Sequence, residues 1–158
     1  TATPPATAMA TPIPSPTPTL SADYEALRRK VERALGAGNR EGVERLSYFS
    51  VTDGAEPLIS LAWAINRGAT PALTATSAQI DLSLVLKEIA QAGMAYASVR
   101  AEGTFPVADD VGNLRETVVV RARYTRATLE AINWNTFRFD TVYDMASEAE
   151  VHPDFRRK

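Results

Sequence analysis

The chain has no cysteine and a single histidine, His152. Without cysteine there is no disulfide framework, thiolate zinc site, iron–sulfur cluster or cysteine nucleophile. With one histidine, which lies in a charged tail, the usual zinc sites and a Ser-His-Asp triad are also missing. No apolar run approaches the roughly 20 residues that span a membrane. We therefore expect no metal and no cofactor, and carboxylates are the catalytic groups left to consider.

Positive and negative charges nearly balance. The chain has 17 basic and 19 acidic residues and a net charge of −2. Such a balance creates no field that would gather nucleic acid or an anionic membrane surface. No glycine-rich phosphate loop follows a predicted strand either. The sequence predicts no nucleic-acid partner, and it predicts membrane association only through an anchor upstream of Thr1.

Residues 1–20 differ in composition from everything after them. Sixteen of the twenty are Pro, Thr or Ala, and no charge appears before Asp23. Six prolines prevent a stable helix, and too few large apolar groups remain to offset the entropy of ordering. We expect a disordered tether over 1–20, a folded domain over 21–150 and a charged C-terminal tail over 151–158.

The tether also bears on location. A Pro/Thr/Ala-rich spacer typically follows a lipidated or membrane-spanning anchor, which predicts an extracytoplasmic protein, in the cell envelope or secreted. A proline-motif ligand and a glycosylated stalk are the alternatives for this segment.

The first part of the domain has helical spacing. Ser21 is a plausible N-cap, and Gly36 and Gly38 end the first predicted helix. A second, shorter helix is predicted from Asn39. A capping-box spacing at 53–56 and apolar residues at helical intervals over 58–65 predict a third.

The second part alternates like strands. Residues 80–86 fit both a strand and a helix; we predict a strand, because 94–105 can pair with it across a turn at Ala92-Gly93. Further strands are predicted over 116–128 and 134–143. Helices followed by antiparallel strands indicate an α+β domain with helices packed on one face of a sheet.

Three stretches together resemble a known family. Residues 34–43 look like its opening helix, small-residue break and second helix. Residues 80–83 and 97–104 are similar to the strand pair of its extracytoplasmic members, and Trp134 followed by 137–143 looks like its closing strand. Over about 21–145 the chain therefore resembles the NTF2-like (cystatin-like α+β) superfamily. The resemblance implies N-terminal helices packed on a strongly curved antiparallel sheet, the NTF2-like cone.

No catalytic residue is predicted. His152 is interpreted as a solvated tail residue and Asp81 as a strand-start cap. Asp140 alternates away from its aromatic neighbours, and Asp144 completes the set of carboxylates considered as bases. The loop Asp109-Asp110 with Asn113 resembles half of a calcium site, but the regular ligand spacing and the distal glutamate are absent.

Two groups are candidate binding residues. Arg121 and Arg123 share the outward face of the 116–128 strand, where Glu102 or Asp140 could pair with them, and they form a candidate interaction patch. Six aromatic residues either line a ligand pocket or fill the core: Trp63, Tyr96, Tyr124, Phe137, Phe139 and Tyr143.

We hypothesise a non-enzymatic, envelope-tethered domain that binds a partner protein or a small apolar ligand, and that can form a homodimer through its sheet. The superfamily implies two alternatives: an assembly subunit of a secretion or conjugation machine, and a pocket enzyme of the isomerase or cyclase type.

Overall fold

The computed structural model describes residues 20–156, and over this range the chain is an α+β domain with three α-helices and one five-stranded sheet. The predicted tether lies outside the described residues except for Leu20. The elements run in the order α1 (Ala22–Leu35), β1 (Leu46–Val51), β2 (Leu58–Ala64), α2 (Pro71–Gln91), β3 (Ser98–Ala108), β4 (Leu114–Thr125), α3 (Arg126–Ala131) and β5 (Glu148–Val151), with short 3₁₀ turns at Phe139–Thr141 and Pro153–Phe155.

The sheet is mixed, and its strands lie in the order β1-β2-β3-β4-β5. β1/β2, β3/β4 and β4/β5 are antiparallel, but β2 and β3 are parallel. Of these pairs only β3/β4 joins two strands that the sequence predicted. A parallel pair requires a long crossover connection, and the 21-residue α2 supplies it.

Helix α1 confirms the first predicted helix. Asp23 and Glu25 lie in its first turn, where the helix dipole favours anions. Leu27, Val31 and Leu35 form its buried face. The helix ends at Gly36, whose φ of 71° suits a residue without a side chain.

Helix α2 corrects the predicted strand over 80–86. Its N-cap is Thr70, whose side chain accepts a hydrogen bond from the Leu73 N–H, and Pro71 occupies the first turn. Leu82, Leu86 and Ile89 are fully buried at helical spacing, whereas Leu84, which the alternation would have placed beside them, is 40% exposed.

The second and third predicted helices are also wrong. Residues 39–45 form a loop that leads into β1, and residues 52–57, with the predicted capping box, connect β1 to β2. In β2, Ile59, Leu61 and Trp63 are buried on one face, which is strand periodicity.

The last strand lies later than predicted. Residues 134–143 form a loop and a 3₁₀ turn. In this segment the rings of Trp134 and Phe137 pack edge to face, with their centres 5.3 Å apart. The last strand of the sheet is instead β5, so the predicted domain boundary at residue 150 falls inside a strand. Phe155 is only 5% exposed and belongs to the core, so the packed chain extends into the predicted tail.

The sheet has two faces with different roles. The inner face packs against α1 and α2. It carries the core residues of β2, β3 and β4, among them Trp63, Ala101 and Tyr124. We call the opposite face the outer face. Because side chains alternate along a strand, the polar and charged residues of the central strands lie there.

Candidate functional site

The outer face carries six charged side chains in cross-strand register on β3, β4 and β5. Opposite residues form one row of Glu102, Arg121 and Glu150. The next row contains Arg100, Arg123 and Glu148. We call these six residues the charged half of the outer face. On β1 and β2 the same rows continue with uncharged residues only: Tyr48, Ser50, Ser60 and Ala62.

Arg121 is the centre of an exposed ion-pair network. Its Nε donates to Glu102 Oε1 at 3.1 Å, and its Nη1 donates to Glu150 Oε2 at 3.1 Å. Arg100 donates to the same Glu102 oxygen at 2.8 Å. The Arg121 side chain is 44% exposed, and exposed pairs of this kind contribute little to stability. The predicted Arg121–Glu102 pairing is confirmed, while Asp140 hydrogen-bonds to Arg138.

Arg123 is exposed, as predicted, and lies directly opposite Arg100. Within residues 20–156 its guanidinium has no ion pair and donates to Ser98 Oγ at 3.2 Å. Like charges directly opposite each other destabilise a sheet. This pair of arginines is therefore better placed to bind an external carboxylate than to stabilise the fold.

The charged half surrounds a shallow depression of about 430 Å³. Arg100, Arg121 and Arg123 line it, together with Glu148 and Glu150. Arginine guanidinium groups bind carboxylates through two parallel hydrogen bonds. The arrangement can thus recognise a surface whose acidic and basic groups alternate at the spacing of the strands.

The six candidate pocket aromatics occupy different environments. Trp63 and Tyr124 are fully buried, and Tyr96 is 4% exposed. Phe137 and Tyr143 pack partly buried against the core, whereas Phe139 is exposed. The Tyr124 hydroxyl donates to the Val142 carbonyl at 2.7 Å. Their role as pocket walls stays a prediction; in this structure three of them fill the core.

Arg45 and Asp81 form a buried ion pair that no sequence pattern indicated. Arg45 Nη2 donates to Asp81 Oδ1 at 2.9 Å, and each side chain is only 8% exposed. Arg45 also donates to the carbonyls of Leu35 and Ala64. One guanidinium therefore joins the end of α1, the end of β2 and the middle of α2.

Several polar atoms around Asp81 are buried without a hydrogen-bond partner in the described chain: Asp81 Oδ2, Trp63 Nε1, Arg45 Nε and the Tyr143 hydroxyl. Burial raises the pKa of Asp81, and the hydrogen bond and charge of Arg45 oppose this rise. Burial also raises the pKa of Tyr143.

This buried cluster connects α1, β2 and α2 and is better placed to stabilise their packing than to react with a substrate. A general base must reach the proton that it abstracts, and Asp81 lies on the core face of α2, pointing at Arg45. The predicted cap role for Asp81 is wrong, because the residue lies in mid-helix rather than at a strand start.

The other residues considered for chemistry have local partners. His152 caps the Pro153–Phe155 turn, where its Nδ1 accepts from the Asp154 N–H at 3.3 Å. Asp109 accepts from the N–H groups of Val111 and Asn113, which makes it a turn-forming residue. Asp144 is exposed.

A separate cavity of about 400 Å³ lies at the start of α2. Its walls combine apolar residues, among them Phe105, Val107 and Phe155, with the polar residues Thr74 and Asp154. Arg67 lies at its rim, with its guanidinium 5.2 Å from the centre of the Phe105 ring. No sequence signal marked this cavity, because its walls come from three separate segments.

Residues 20–156 contain no group of three or more acidic or histidine side chains placed to hold a metal ion. Over the same range no helix has the length and apolar character needed to cross a membrane. Comparisons with protein-family models, with curated proteins and with solved structures each give no match.

Proposed function

We propose that this chain is a non-enzymatic binding domain, tethered outside the cytoplasm, that recognises a partner protein through the charged half of the outer face. The observation that carries the proposal is the Arg100–Arg123 pair. Two exposed arginines stand directly opposite each other, and Arg123 forms no ion pair within residues 20–156, although Glu148 lies opposite it on β5. Such an arrangement gains little for the fold and gains more when a partner supplies carboxylates.

The partner's chemistry follows from the lining of the depression. A surface with at least one Asp or Glu side chain would fit between Arg100 and Arg123. Basic groups beside it would face Glu148 and Glu150. Complementary charge mainly raises the rate and specificity of association, so binding should weaken as salt increases.

The location and the family assignment are parts of the proposal that rest on sequence. The Pro/Thr/Ala-rich composition of residues 1–20 supports an envelope tether. The NTF2-like assignment and the cone remain predictions: residues 97–104 lie mostly in β3 as the resemblance implies, while residues 80–83 lie in α2. An assembly subunit of a secretion or conjugation machine is the more specific form of the same function.

Affinity capture from envelope extracts of the native host tests the proposal. Arg121→Glu/Arg123→Glu reverses two charges on the outer face and should abolish capture of the partner. Arg29→Glu/Arg33→Glu makes the same charge change on the exposed side of α1 and is the matched control. Equal capture by the two folded variants would contradict the proposal.

The enzyme alternative is tested by Asp81→Asn in a deletion strain. We expect a correctly folded Asp81→Asn protein to restore the wild-type phenotype. Loss of function with fold and partner capture intact would favour a pocket isomerase or cyclase instead.

A small apolar ligand is the second candidate, and the cavity at the start of α2 favours it. Its volume, and a wall in which Phe105, Val107 and Phe155 supply apolar surface, support a small-ligand site. Val107→Trp should fill it and reduce binding of an apolar fluorescent probe such as anilinonaphthalene sulfonate. Leu114→Trp, on the exposed part of the neighbouring strand, is the control.

A further inference from the structure

The two edges of the sheet differ in a way that bears on self-association. The β5 edge is four residues long and carries Glu148 and Glu150. The β1 edge is six residues long, Leu46–Val51, and contains neither charge nor proline. Natural proteins usually protect edge strands with charges, prolines, bulges or very short length. The protection at β1 is one register irregularity between Leu46 and Tyr48.

The backbone of β1 presents hydrogen-bonding groups outward. The Thr52 N–H donates to the Leu58 carbonyl, so Thr52 points toward β2. Backbone groups alternate in direction along an antiparallel strand. Ser50 therefore also points toward β2, and Phe49 and Val51 direct their N–H and C=O groups away from it. Since β1 is the outermost strand, these groups have no strand partner within the described sheet.

A groove of about 450 Å³ runs beside this edge. Leu20 and Tyr24, at the start of α1, form one wall, and Phe49 and Val51 form the other. Phe49 and Val51 are only partly buried although they lie on the inner face. A strand added at the β1 edge would extend the inner face and could cover both side chains.

We propose that a second copy of this chain occupies the β1 edge, so that two sheets join antiparallel about a two-fold axis. The outer face next to the edge is uncharged over Tyr48, Ser50, Ser60 and Ala62. A second β1 strand therefore meets no like charge. The charged half of the outer face remains free in both copies.

The geometry also fixes the register. The regular part of β1 begins after the irregularity, at Tyr48. A symmetric pairing centred on Ser50 uses only this part and its continuation to Thr52. It places Phe49 of each copy opposite Val51 of the other, with four backbone hydrogen bonds. It also places the two Ser50 residues directly opposite each other as a non-hydrogen-bonded pair, whose Cα atoms lie about 4.5 Å apart.

The first test measures the mass of the full chain by sedimentation from low-micromolar to millimolar concentration. We expect dimers that dissociate on dilution. Ser50→Lys should weaken the dimer roughly fivefold or more, because it sets two like charges opposite each other. Ser60→Lys, on the neighbouring strand and the same face, should leave the dissociation constant within about twofold. A mixture of Ser50→Lys and Ser50→Glu chains should restore association.

The second test uses the absence of cysteine, since a single introduced cysteine has no competing thiol. Ser50→Cys should form an inter-subunit disulfide under mild oxidation, because a non-hydrogen-bonded pair brings the two Cβ atoms within bonding range. Ser60→Cys should not.

Three results would overturn the proposal. One is a monomer at every concentration, including a monomer whose β1 edge binds a foreign extended peptide. Another is a dimer that Ser50→Lys does not weaken. The third is equal cross-linking at positions 50 and 60.

Discussion

Arg45 and Arg121 lie on opposite sides of the same sheet and both bind carboxylates, yet their ion pairs differ in what they contribute to stability. The Arg45 side chain is 8% exposed, and Asp81 is its acidic partner in the core. Arg121 is 44% exposed and pairs with Glu102, which Arg100 also contacts, and with Glu150. Breaking a buried pair leaves an uncompensated charge, whereas breaking an exposed pair changes little. The inner charges therefore contribute to the stability of the fold, and those on the outer face contribute little to it.

The largest effect is expected on the inner face. Trp63→Ala should lower the free energy of unfolding by about 3–5 kcal/mol, because it removes a fully buried ring from the centre of the core. Chemical denaturation measures the change. Tyr48→Ala is the outer-face control, since that side chain is 55% exposed, and it should change stability by less than about 1 kcal/mol. A loss below about 1 kcal/mol for Trp63→Ala would mean that the ring is not packed as described.

The buried pair comes next. Asp81→Ala should cost about 3 kcal/mol, because it leaves the Arg45 guanidinium charged and buried without its carboxylate. Removing both charges with Arg45→Met/Asp81→Leu should recover much of this loss. If the loss of unfolding free energy in the double variant equalled the sum of the losses in Arg45→Met and Asp81→Leu, the two residues would not be coupled.

A smaller, pH-dependent effect belongs to Glu116, at the rim between the two sides. A hydrogen bond from Arg40, at 2.8–2.9 Å, is the main reason why the pKa of Glu116 is lowered. A lowered pKa in the folded state stabilises the protein above the ordinary glutamate pKa, about 4.3, and this contribution is lost as pH falls through the folded value.

Wild type should therefore exceed Glu116→Gln in stability at neutral pH by at most about 1 kcal/mol, since Glu116 is 43% exposed. The difference should shrink below about pH 4. Denaturation curves of both proteins across this range measure it. A difference independent of pH would show that the Glu116 charge is not responsible.

The smallest effect is expected on the outer face. Arg121→Ala should change the free energy of unfolding by no more than about 0.5 kcal/mol, because its ion pairs are exposed and screened. A loss comparable to that of Asp81→Ala would remove the contrast between the two sides.

The sequence predicted well where one face of an element is solvated. The alternation over 116–128 predicted β4 and placed Arg121 and Arg123 outward, and the apolar stripe after Ser21 predicted α1. Both elements have one buried and one exposed face, so their periodicity is unambiguous. The end of the predicted strand is wrong, because β4 ends at Thr125 and residues 126–128 belong to α3.

The errors fall where apolar residues crowd both faces. Over 58–65 the residues Leu58, Leu61 and Ile65 have helical spacing, while Ile59, Leu61 and Trp63 have strand spacing. The segment forms β2, in which all three residues of the strand set are buried and Leu58 is only half-buried. Over 80–86 a strand was predicted and the chain forms part of helix α2. Length and the Thr70-Pro71 start signal would have favoured a helix there. The Arg45–Asp81 pair joins residues 36 apart, and tertiary packing alone brings them together.

The proposed difference between the two sides of the sheet is that the outer face carries recognition and the inner face carries stability. Its most direct test is a photo-reactive amino acid placed at position 123 or at position 29 of the full chain in cells of the native host. With Arg123 replaced, irradiation should cross-link the chain to a discrete partner protein. With Arg29 replaced on α1, it should not. The same partner cross-linked equally at both positions, or only at position 29, would contradict the claim.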